Sequence, residues 1–352
     1  MTFSSLFWNI FTFDIGIDLG TANTLVFVKN QDISISEPSV VALNSRTKEI
    51  LAVGSDAQKM LGRTPASIVA IRPLKDGVIS DFDSTKEMIH YFIEKVHKDS
   101  QKLFKIARPR IVIGIPSAIT EVERKAVVDA AISAGARNVY LIEEPMAAAI
   151  GCNLPITEAT GSFIVDIGGG TSDIAVISLG GIVVDKSIRI AGDELTQDII
   201  NYVRSKYNLL IGERSAEEIK ITLGNAYPRK ENKKAEIKGR DILLGLPKTV
   251  TISEAEVREA MSNSLNIIIE AIYDALEETP PELVSDITER GIYLTGGGAL
   301  ISGIKKLFSE KIKVPFIIAD DPLKSVVIGA SKILEDINLL ESINSSDIDD
   351  YT

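Results

Sequence analysis

Two copies of one strand-turn-strand pattern constrain the fold of this chain more than any other feature. Residues 13–28 read FDIGIDLGTANTLVFV, in which an apolar strand ends at Asp18 and a Gly-Thr turn leads into a second strand. Residues 164–177 repeat the pattern as IVDIGGGTSDIAVI, with Asp166 in the place of Asp18. The two aspartates are 148 positions apart. A repeat of this length predicts two similar domains, each of which contributes one hairpin to a shared ligand.

The residues of the two turns indicate that this ligand carries phosphate. Consecutive glycines, Gly168 to Gly170, let backbone N–H groups approach an anion closely, and the Thr171 hydroxyl adds a donor. One such turn alone would equally fit an ordinary hairpin, but the second copy at Gly20 favours phosphate binding. Neither turn has the spacing of a P-loop or of a dinucleotide-binding fingerprint. We therefore expect a nucleotide held between two hairpins, with the two aspartates near a Mg²⁺ ion.

Composition narrows the class of protein and its partners. At 352 residues, with 45% hydrophobic and 25% charged residues, the chain has the composition of a globular protein of two domains. Its formal net charge is −11 and it has no long block of lysine and arginine, which argues against a nucleic-acid partner and against electrostatic attraction to anionic lipid. A single cysteine, Cys152, permits no internal disulfide and fits a reducing cytoplasm.

The N-terminal segment is apolar and uncharged. Residues 1–13 read MTFSSLFWNIFTF, too short an apolar stretch to span a bilayer and without the basic region of a signal peptide. On a helix, most of its apolar residues would share one face, which either packs on the protein or lies in the membrane interface. The residues alone leave both alternatives open. The apolar side chains concerned are Phe3, Leu6, Phe7, Trp8, Ile10 and Phe11.

A carboxylate at a strand-to-helix junction is the candidate for water activation. Residues 139–150 read VYLIEEPMAAAI, so a strand ends in two acids and Pro145 stands where the first turn of a helix tolerates proline. From that junction Glu144 can reach into a cleft and orient or deprotonate a water that attacks a γ-phosphate. The alternative is that Glu143 and Glu144 only complement the positive end of the helix.

Apolar spacing and capping predict further helices. A long helix over residues 253–279 begins with Ser253 and Glu256, which have the spacing of a capping box. Another helix runs over residues 121–134. Its inward-facing residues are expected to be Val122, Ala126, Val127 and Ala130.

Two segments of the second half are candidates for an adenosine site. In a helix over residues 212–223, Glu217 and Lys220 lie on one side, either as a solvated pair or as a clasp for a ribose or base. Farther along, residues 291–304 read GIYLTGGGALISGI. The three glycines there would let a flat adenine ring lie against the backbone.

With these motifs in place, the chain resembles the MreB family of bacterial actin homologues over about residues 14–340. The phrases that carry the resemblance include IGIDLGTANTLVFVK, EPSVVALN, LIEEPMAAAIG, VDIGGGTSDIAVISLGGIVV, AGDE, YNLLIGERSAEEIK and TPPELVSDITERGIYLTGGGAL. The resemblance implies an α/β, actin-like ATPase fold in which two similar domains, with four subdomains in all, surround a central nucleotide cleft. The implied segments are a membrane-binding segment (1–13), a first domain (14–154) with a small subdomain at about 42–74, a second domain (155–323) with a subdomain at about 191–254, a helix returning to the first domain (324–341) and an acidic, disordered tail (342–352).

The resemblance also implies which residues hold MgATP. Asp18 and Asp166 would position Mg²⁺ and its waters, while Glu144 and Thr171 would orient the lytic water. The implied phosphate contacts are Gly20, Thr21, Ala22, Asn23, Gly168, Gly169 and Gly170. The residues implied to enclose the adenosine are Glu217, Glu218, Ile219, Lys220, Gly296, Gly297, Gly298, Ala299 and Leu300.

The chain departs from the family after the second glycine turn. Members usually have Thr-Thr-Glu there, whereas this chain has Thr171, Ser172 and Asp173. Hydroxyl and carboxylate are both kept, so we expect an altered rate of hydrolysis rather than its loss.

The biological role is likewise implied by the resemblance. Members of the family polymerise on ATP into paired protofilaments along the inner membrane, direct cell-wall elongation and maintain rod shape. This implies self-association, contact with inner-membrane lipid and with membrane proteins of cell-wall elongation, and a cytoplasmic location on the inner face of the membrane. The membrane would be reached by residues 1–13, by a loop that carries Leu103 and Phe104, or by both.

Two alternatives belong to the same superfamily. A small-molecule kinase would need an acceptor pocket with its own catalytic acid, whereas Glu144 stands where water activation is expected. A chaperone ATPase would need a β-rich peptide-binding domain after the nucleotide module, and the roughly 50 residues that follow the glycine turn are too few for one.

Overall fold

The fold is described from a computed structural model that covers residues 14–28, 35–98, 108–335 and 343. Three predictions fall outside these described residues. They concern the membrane-binding segment of residues 1–13, the loop with Leu103 and Phe104, and the tail of residues 342–352 apart from Ile343.

Strands and helices alternate along the described chain. Up to residue 160 they are β1 (Ile15–Leu19), β2 (Asn23–Val28), β3 (Ile35–Pro38), β4 (Val41–Asn44), β5 (Ile50–Val53), α1 (Ser55–Met60), β6 (Ile68–Ile71), β7 (Leu74–Lys75), β8 (Val78–Ile79), α2 (Phe82–Lys98), β9 (Arg110–Ile115), α3 (Glu121–Ser133), β10 (Asn138–Glu143) and α4 (Glu144–Gly151). The remaining elements are β11 (Ser162–Ile167), β12 (Ser172–Ser178), β13 (Gly181–Ile188), α5 (Gly192–Tyr207), β14 (Leu209–Leu210), α6 (Glu213–Leu223), β15 (Lys234–Asp241), β16 (Pro247–Ser253), α7 (Glu254–Glu278), α8 (Pro281–Arg290), β17 (Ile292–Thr295), a 3₁₀ turn (Gly297–Leu300), α9 (Ile304–Ile312), β18 (Phe316–Ile318) and α10 (Ser325–Glu335).

These elements form two compact units. As far as they are described, the first unit spans Met1–Thr160, Ile177–Ile182 and Lys324–Thr352, and the second spans Gly161–Val176 and Val183–Leu323. The chain therefore passes from the first unit to the second, returns to the first for Ile177–Ile182, and enters the first again at Lys324, just before α10.

The two central sheets have the same strand order. In the first unit the order is β10-β9-β1-β2-β3, and in the second it is β18-β17-β11-β12-β13. Three strands of each sheet are parallel, namely β1, β9 and β10 in one and β11, β17 and β18 in the other. Each sheet also contains the predicted hairpin, β1–β2 or β11–β12. The sheets therefore confirm the duplicated α/β fold that the repeated aspartate pattern predicts.

Small sheets accompany each central sheet. The first unit adds the antiparallel sheet β5-β4-β6 and the pair β7–β8, and the second adds β14-β15-β16. The capping box of α7 is present as predicted, because the Ser253 N–H donates to Glu256 Oε2 at 2.8 Å and the Ser253 hydroxyl donates to the same oxygen at 2.6 Å. This carboxylate also accepts from Tyr207 and pairs with Lys206, and these donors lower the pKa of Glu256 to about 2 although its burial acts in the opposite direction.

One prediction about helix orientation is wrong. Val127 and Ala130 of α3 are buried as expected, but the Val122 side chain is 80% exposed. Val122 is the second residue of the helix, beside a capping box in which the Thr120 N–H donates to Glu123 Oε2 at 2.9 Å. The cap keeps this first turn at the protein surface, so the apolar spacing that holds for the later turns does not extend to Val122.

Helix α10 packs on α4 at a distance that only glycine permits. A Cβ added to Gly329 of α10 would lie 1.8 Å from the Ala147 carbonyl oxygen, and one added to Gly151 of α4 would lie 1.9 Å from the Ser325 carbonyl oxygen. Lys332 extends the contact, because its ammonium donates to the Ile150 carbonyl at 2.8 Å. Burial lowers the pKa of Lys332. The last turn of α4 is thus held by α10, which matters because Glu144 begins that helix.

We predict that Gly329→Ala destabilises the protein although alanine is the better helix former. Helix propensity alone would favour the substitution by about 1 kcal/mol, whereas overpacking against the Ala147 backbone should cost roughly 2 kcal/mol or more. Thermal unfolding of the purified protein measures the difference. The matched control is Gly181→Ala, where the nearest atom to the new Cβ would be 3.9 Å away and the midpoint should be unchanged. Equal midpoints for both variants would contradict the close packing of α4 and α10.

Candidate functional site

The first hairpin turns through four residues. Leu19 pairs with Thr24, so the chain reverses over residues 20–23, of which Asn23 is already the first residue of β2. Gly20 is required at its start, because a Cβ there would lie 2.6 Å from the Asn23 carbonyl oxygen. The glycine that the sequence pattern places after Asp18 therefore has a steric reason in the turn itself.

Ser39 holds the carbonyl groups of this loop from behind. Its hydroxyl donates to the Gly20 carbonyl at 2.6 Å and its backbone N–H donates to the Ala22 carbonyl at 3.0 Å. Ser39 is fully buried, and its hydroxyl also contacts the Thr24 hydroxyl at 2.9 Å. Sequence reasoning did not single out this residue, although it lies in the phrase EPSVVALN that carries part of the family resemblance.

With the carbonyl oxygens engaged, the loop leaves backbone donors for a ligand. Within the described part of the chain, the backbone N–H groups of Thr21 and Ala22 donate to no acceptor. The Thr21 side chain is buried and its hydroxyl oxygen accepts from the Gly77 N–H at 2.9 Å, whereas Asn23 is exposed. Donors directed away from the bonded carbonyls are the arrangement that an anion such as phosphate needs.

Two carboxylates of the first unit lie at the carboxyl edge of its sheet. Asp18 on β1 pairs in register with Gly114 on β9, and Glu144 follows the last residue of β10. A Cβ added to Gly114 would come within 3.4 Å of Glu144 Cγ, so the absence of a side chain at Gly114 leaves room for Glu144 beside the strand that carries Asp18. The carboxyl ends of parallel strands are the usual position of ligands in α/β sheets.

Burial changes the titration of Asp18. It raises the pKa of this carboxyl from 3.8 to about 7, because the charged form loses hydration near the end of β1. A bound cation would favour the ionised carboxylate and lower this pKa again. Asp18 is therefore a carboxylate whose charge the protein alone does not stabilise.

The second hairpin is built in the same way with different donors. Residues 168–171 form its loop, and the Gly168 N–H donates to the Thr171 carbonyl at 2.9 Å. Here the N-terminus of α5 holds the carbonyls. The Gly192 N–H donates to the Gly168 carbonyl at 3.1 Å and the Asp193 N–H donates to the Gly169 carbonyl at 2.8 Å. The first two amides of α5 are thus used inside the protein and do not form a separate anion site.

The residues that differ from the usual family pattern lie in the core. Ser172 and Asp173 are fully or almost fully buried at the start of β12, and the Ser172 hydroxyl donates to the Ile190 carbonyl at 2.7 Å. Thr171, the last residue of the loop, is also buried. Ser172 and Asp173 are shorter than the threonine and glutamate of the usual pattern, and because they are buried, the difference affects the packing of the core behind the hairpin.

Helix α6 contributes residues of three different kinds. Glu217 and Lys220 form an ion pair with 2.7 Å between Oε2 and Nζ, and Lys220 also donates to the Gly192 carbonyl at 2.7 Å. Glu218 lies on the exposed side and pairs with Arg214 at 3.0 Å. Ile219 packs in the core of the second unit. Of the four residues that the resemblance places around adenosine, the Ile219 side chain is thus occupied by core packing and only its main chain is available.

The third glycine turn packs directly against the end of β11. Gly296 has a φ of 77°, and a Cβ there would lie 2.3 Å from Asp166 Oδ1. A Cβ on Gly298 would lie 2.2 Å from Ile167 Cγ2. These two glycines are needed for close packing against the second hairpin, which is a different reason from the predicted contact with adenine. Leu300, at the end of the turn, is 58% exposed. Gly297 and Ala299 are the remaining residues of the turn, on either side of Gly298.

The described ranges contain neither a cluster of metal ligands nor a membrane-crossing helix. No group of three or more histidine, cysteine, aspartate or glutamate side chains there is placed to hold a metal ion. None of the helices in these ranges combines the length and the apolar character that a membrane crossing needs.

Comparison with known proteins agrees with this geometry. A profile of the MreB/Mbl protein family matches residues 12–342. The cell shape-determining protein MreB of Escherichia coli (strain K12) is 50% identical over 337 residues, which cover 95% of this chain and 96% of that protein. The cell shape-determining protein Mbl of Bacillus subtilis (strain 168) is 49% identical over 331 residues, which cover 94% of this chain and 98% of that protein.

A solved structure extends the likeness to three dimensions. The crystal structure of MreB 5 of Spiroplasma citri bound to AMPPNP matches with a TM-score of 0.87 at 38% identity, covering 93% of this chain and 97% of that chain. The likeness confirms the predicted actin-like α/β fold. Because the profile spans nearly the whole chain and both relatives are about half identical to it, the chain belongs to the MreB/Mbl protein family.

Proposed function

We propose that this chain binds and hydrolyses ATP with Mg²⁺ and that nucleotide controls its assembly into filaments. As a member of the MreB/Mbl family it is a cell shape-determining cytoskeletal protein. The observation that carries the nucleotide part is the pair of hairpins, each with its carbonyl oxygens bonded from behind. The AMPPNP bound to the Spiroplasma citri relative supports the same ligand class.

Phosphate binding is assigned to the backbone of the two loops. In the first loop the N–H groups of Thr21 and Ala22 would donate to phosphate oxygens, and Gly20 and Asn23 complete the turn. In the second loop Gly169 and Gly170 would donate in the same manner, because neither amide has an acceptor among the described residues. Gly168 and Thr171 close that loop through their own hydrogen bond.

Asp18 and Asp166 would hold Mg²⁺ through its waters. The donor set fits this ion, since both are hard carboxylates at the carboxyl end of the first strand of a sheet. The raised pKa of Asp18 also fits, because a divalent cation would stabilise the charge that burial disfavours. Bound Mg²⁺ supplies charge neutralisation on the β- and γ-phosphate oxygens.

Glu144 is assigned to the water that attacks the γ-phosphate. It is 9% exposed at the first position of α4, and the space at Gly114 lets its side chain lie along the sheet edge near Asp18. From there the carboxylate would accept a hydrogen bond from the water and orient it, or remove its proton as the bond to phosphorus forms. Thr171 would help to orient the same water.

Adenosine is assigned to α6 and to the glycine turn after β17. Glu217 and Lys220 are joined to the second hairpin through α5, and the turn with Gly296 and Gly298 contacts Asp166 and Ile167. The other contributors from these segments are Glu218, Ile219, Gly297, Ala299 and Leu300, with Ile219 acting through its main chain. A small-molecule kinase would use a similar nucleotide site, and phosphate release without any added acceptor distinguishes hydrolysis from transfer.

Self-association, membrane contact and partner proteins complete the proposal. We assign to this chain head-to-tail assembly into paired protofilaments, attachment to inner-membrane lipid, and contact with membrane proteins of cell-wall elongation on the cytoplasmic face. The support is family membership. The membrane-binding candidates remain Phe3, Leu6, Phe7, Trp8, Ile10, Phe11, Leu103 and Phe104.

We predict that Glu144→Ala binds MgATP and forms filaments but releases phosphate about a hundredfold more slowly, because general acid–base groups contribute at least that factor. Phosphate release and electron microscopy of the same sample measure both properties. The control is Glu143→Gln on the adjacent residue, which occupies the N-cap position of α4 without a side-chain capping hydrogen bond, so this variant should retain hydrolysis. Unchanged phosphate release by Glu144→Ala would remove this residue from the mechanism.

We predict a pH-dependent gain in stability from Asp18→Asn when nucleotide and metal are absent. The folded pKa of Asp18, about 7, is above the value of roughly 3.9 for an unfolded aspartate. Between these two pKa values the folded protein holds a proton that the unfolded chain has lost. The contribution of Asp18 to the free energy of unfolding therefore decreases as the pH rises from about 4 to about 7. Thermal unfolding with a chelator should show a larger gain for the variant at pH 8 than at pH 5. A gain of equal size at both pH values would contradict the raised pKa.

We predict that deletion of residues 1–11 weakens sedimentation with liposomes and leaves ATPase activity intact. The apolar side chains would supply the binding energy, since the chain has a net charge of −11 and little electrostatic attraction to anionic lipid. A full-length Leu6→Ser/Phe7→Ser variant serves as the control for chain length. If lipid binding survives in both variants, the Leu103 and Phe104 loop becomes the membrane contact instead.

A further inference from the structure

We propose that Thr196 and Lys220 are positioning residues that join the adenosine side of the second unit to its phosphate hairpin. The inference rests on the proposed nucleotide function and assigns two side chains a role within it. It also changes the role of Lys220 from a nucleotide contact to a residue that acts through Glu217 and through α5.

The first part of the connection runs through the start of α5. Gly192 and Asp193 hold the carbonyls of Gly168 and Gly169 at 3.1 and 2.8 Å. Gly192 lies so close to the hairpin that an added Cβ would be 3.1 Å from the Gly168 carbonyl oxygen and 3.4 Å from Lys220 Nζ. The position of the glycine loop therefore depends on the position of this helix start.

Lys220 binds the same helix start with its whole ammonium group. Its Nζ donates to the Gly192 carbonyl at 2.7 Å and to the Thr196 hydroxyl at 2.9 Å, and it pairs with Glu217 Oε2 at 2.7 Å. A lysine ammonium has three N–H donors, so all of them have partners within the protein. The side chain is only 10% exposed. Lys220 thus has no donor left for a ribose or a base.

Thr196 links the lysine to the glutamate. Its hydroxyl accepts from Lys220 and donates to Glu217 Oε2 at 2.6 Å, and the residue is 2% exposed. One Glu217 oxygen is thereby fixed by two donors. The Glu217 side chain is nevertheless 42% exposed, so its carboxylate is accessible from solvent and can accept from a ribose hydroxyl.

The consequence is a continuous path from adenosine to phosphate inside one unit. It leads from Glu217 through Thr196 and Lys220 to the start of α5, and from there to the carbonyls of the glycine loop. A nucleotide that contacts Glu217 and the loop would find both groups already at a fixed separation. Preorganisation of this kind raises affinity because less freedom is lost on binding.

The test begins with Thr196→Val, which removes the hydroxyl at constant shape. Binding of ADP and of Mg-AMPPNP should weaken about tenfold, the value expected for loss of a hydrogen bond to a charged group. Thr196→Ser keeps the hydroxyl and should bind within about threefold of the original protein. The matched control is Thr222→Val on α6, the helix that carries Glu217 and Lys220. The Thr222 hydroxyl donates to main-chain carbonyls of α6, so this variant should bind normally.

A double-substitution cycle separates positioning from general loss of structure. If Thr196 acts through Glu217, then Thr196→Val in the Glu217→Ala background should weaken binding by less than about twofold, because the group that it positions is already absent. If the two substitutions act independently, Thr196→Val weakens binding about tenfold in the Glu217→Ala background as well, and the inference is overturned. It is equally overturned if Thr196→Val alone binds nucleotide as well as the original protein.

The same measurements distinguish failure of this inference from failure of the proposed function. Absence of ADP and Mg-AMPPNP binding by the unsubstituted protein would contradict the nucleotide function itself. Normal binding by the unsubstituted protein, together with normal binding by Thr196→Val, would contradict only the positioning role.

Discussion

Four backbone carbonyl oxygens, two in each glycine hairpin, are held by donors from elsewhere in the same unit. Ser39 holds those of Gly20 and Ala22, and the start of α5 holds those of Gly168 and Gly169. In a peptide group the C=O of one residue lies opposite the N–H of the next, so the bonded oxygens of Gly20, Gly168 and Gly169 also fix where the amides of the following residues, Thr21, Gly169 and Gly170, point. The amides of both loops are then available to an anion, and the proposed grip on phosphate depends on this.

The duplicated architecture could be predicted because its signal is local and occurs twice. Asp18 and Asp166 follow the same apolar pattern, and the first glycine of each turn, Gly20 or Gly168, faces a carbonyl oxygen three residues later. Such contacts lie within one turn, so spacing in the chain is enough to indicate them. The matching strand orders of the two sheets follow from the same repeat. Glu144 was placed correctly at the start of a helix for a similar reason, since its neighbour Pro145 marks that boundary.

The supports of the site could not be predicted because they join residues far apart in the chain. Ser39 is 19 positions from Gly20, and nothing in its neighbourhood marks it as a partner of that loop. The i,i+3 spacing of Glu217 and Lys220 suggested a pair, but only the folded chain shows that Lys220 has all three donors engaged. For Val122 the sequence predicts burial, whereas the structure shows an exposed side chain. A helical apolar pattern does not reveal where a cap keeps the first turn at the surface.

One of the four donors behind the two hairpins is a side-chain hydroxyl, that of Ser39, whereas the other three are main-chain amides. The two hairpins therefore differ in their tolerance to inherited change. A single codon change at Ser39 removes a hydroxyl from behind the first loop. The donors behind the second loop are main-chain amides of Gly192 and Asp193, which every residue except proline possesses. The space at position 192 still favours glycine, because a Cβ there would lie 3.1 Å from the Gly168 carbonyl oxygen. A side-chain replacement at Ser39 could therefore weaken the support of the first loop, whereas both donors behind the second loop belong to the main chain.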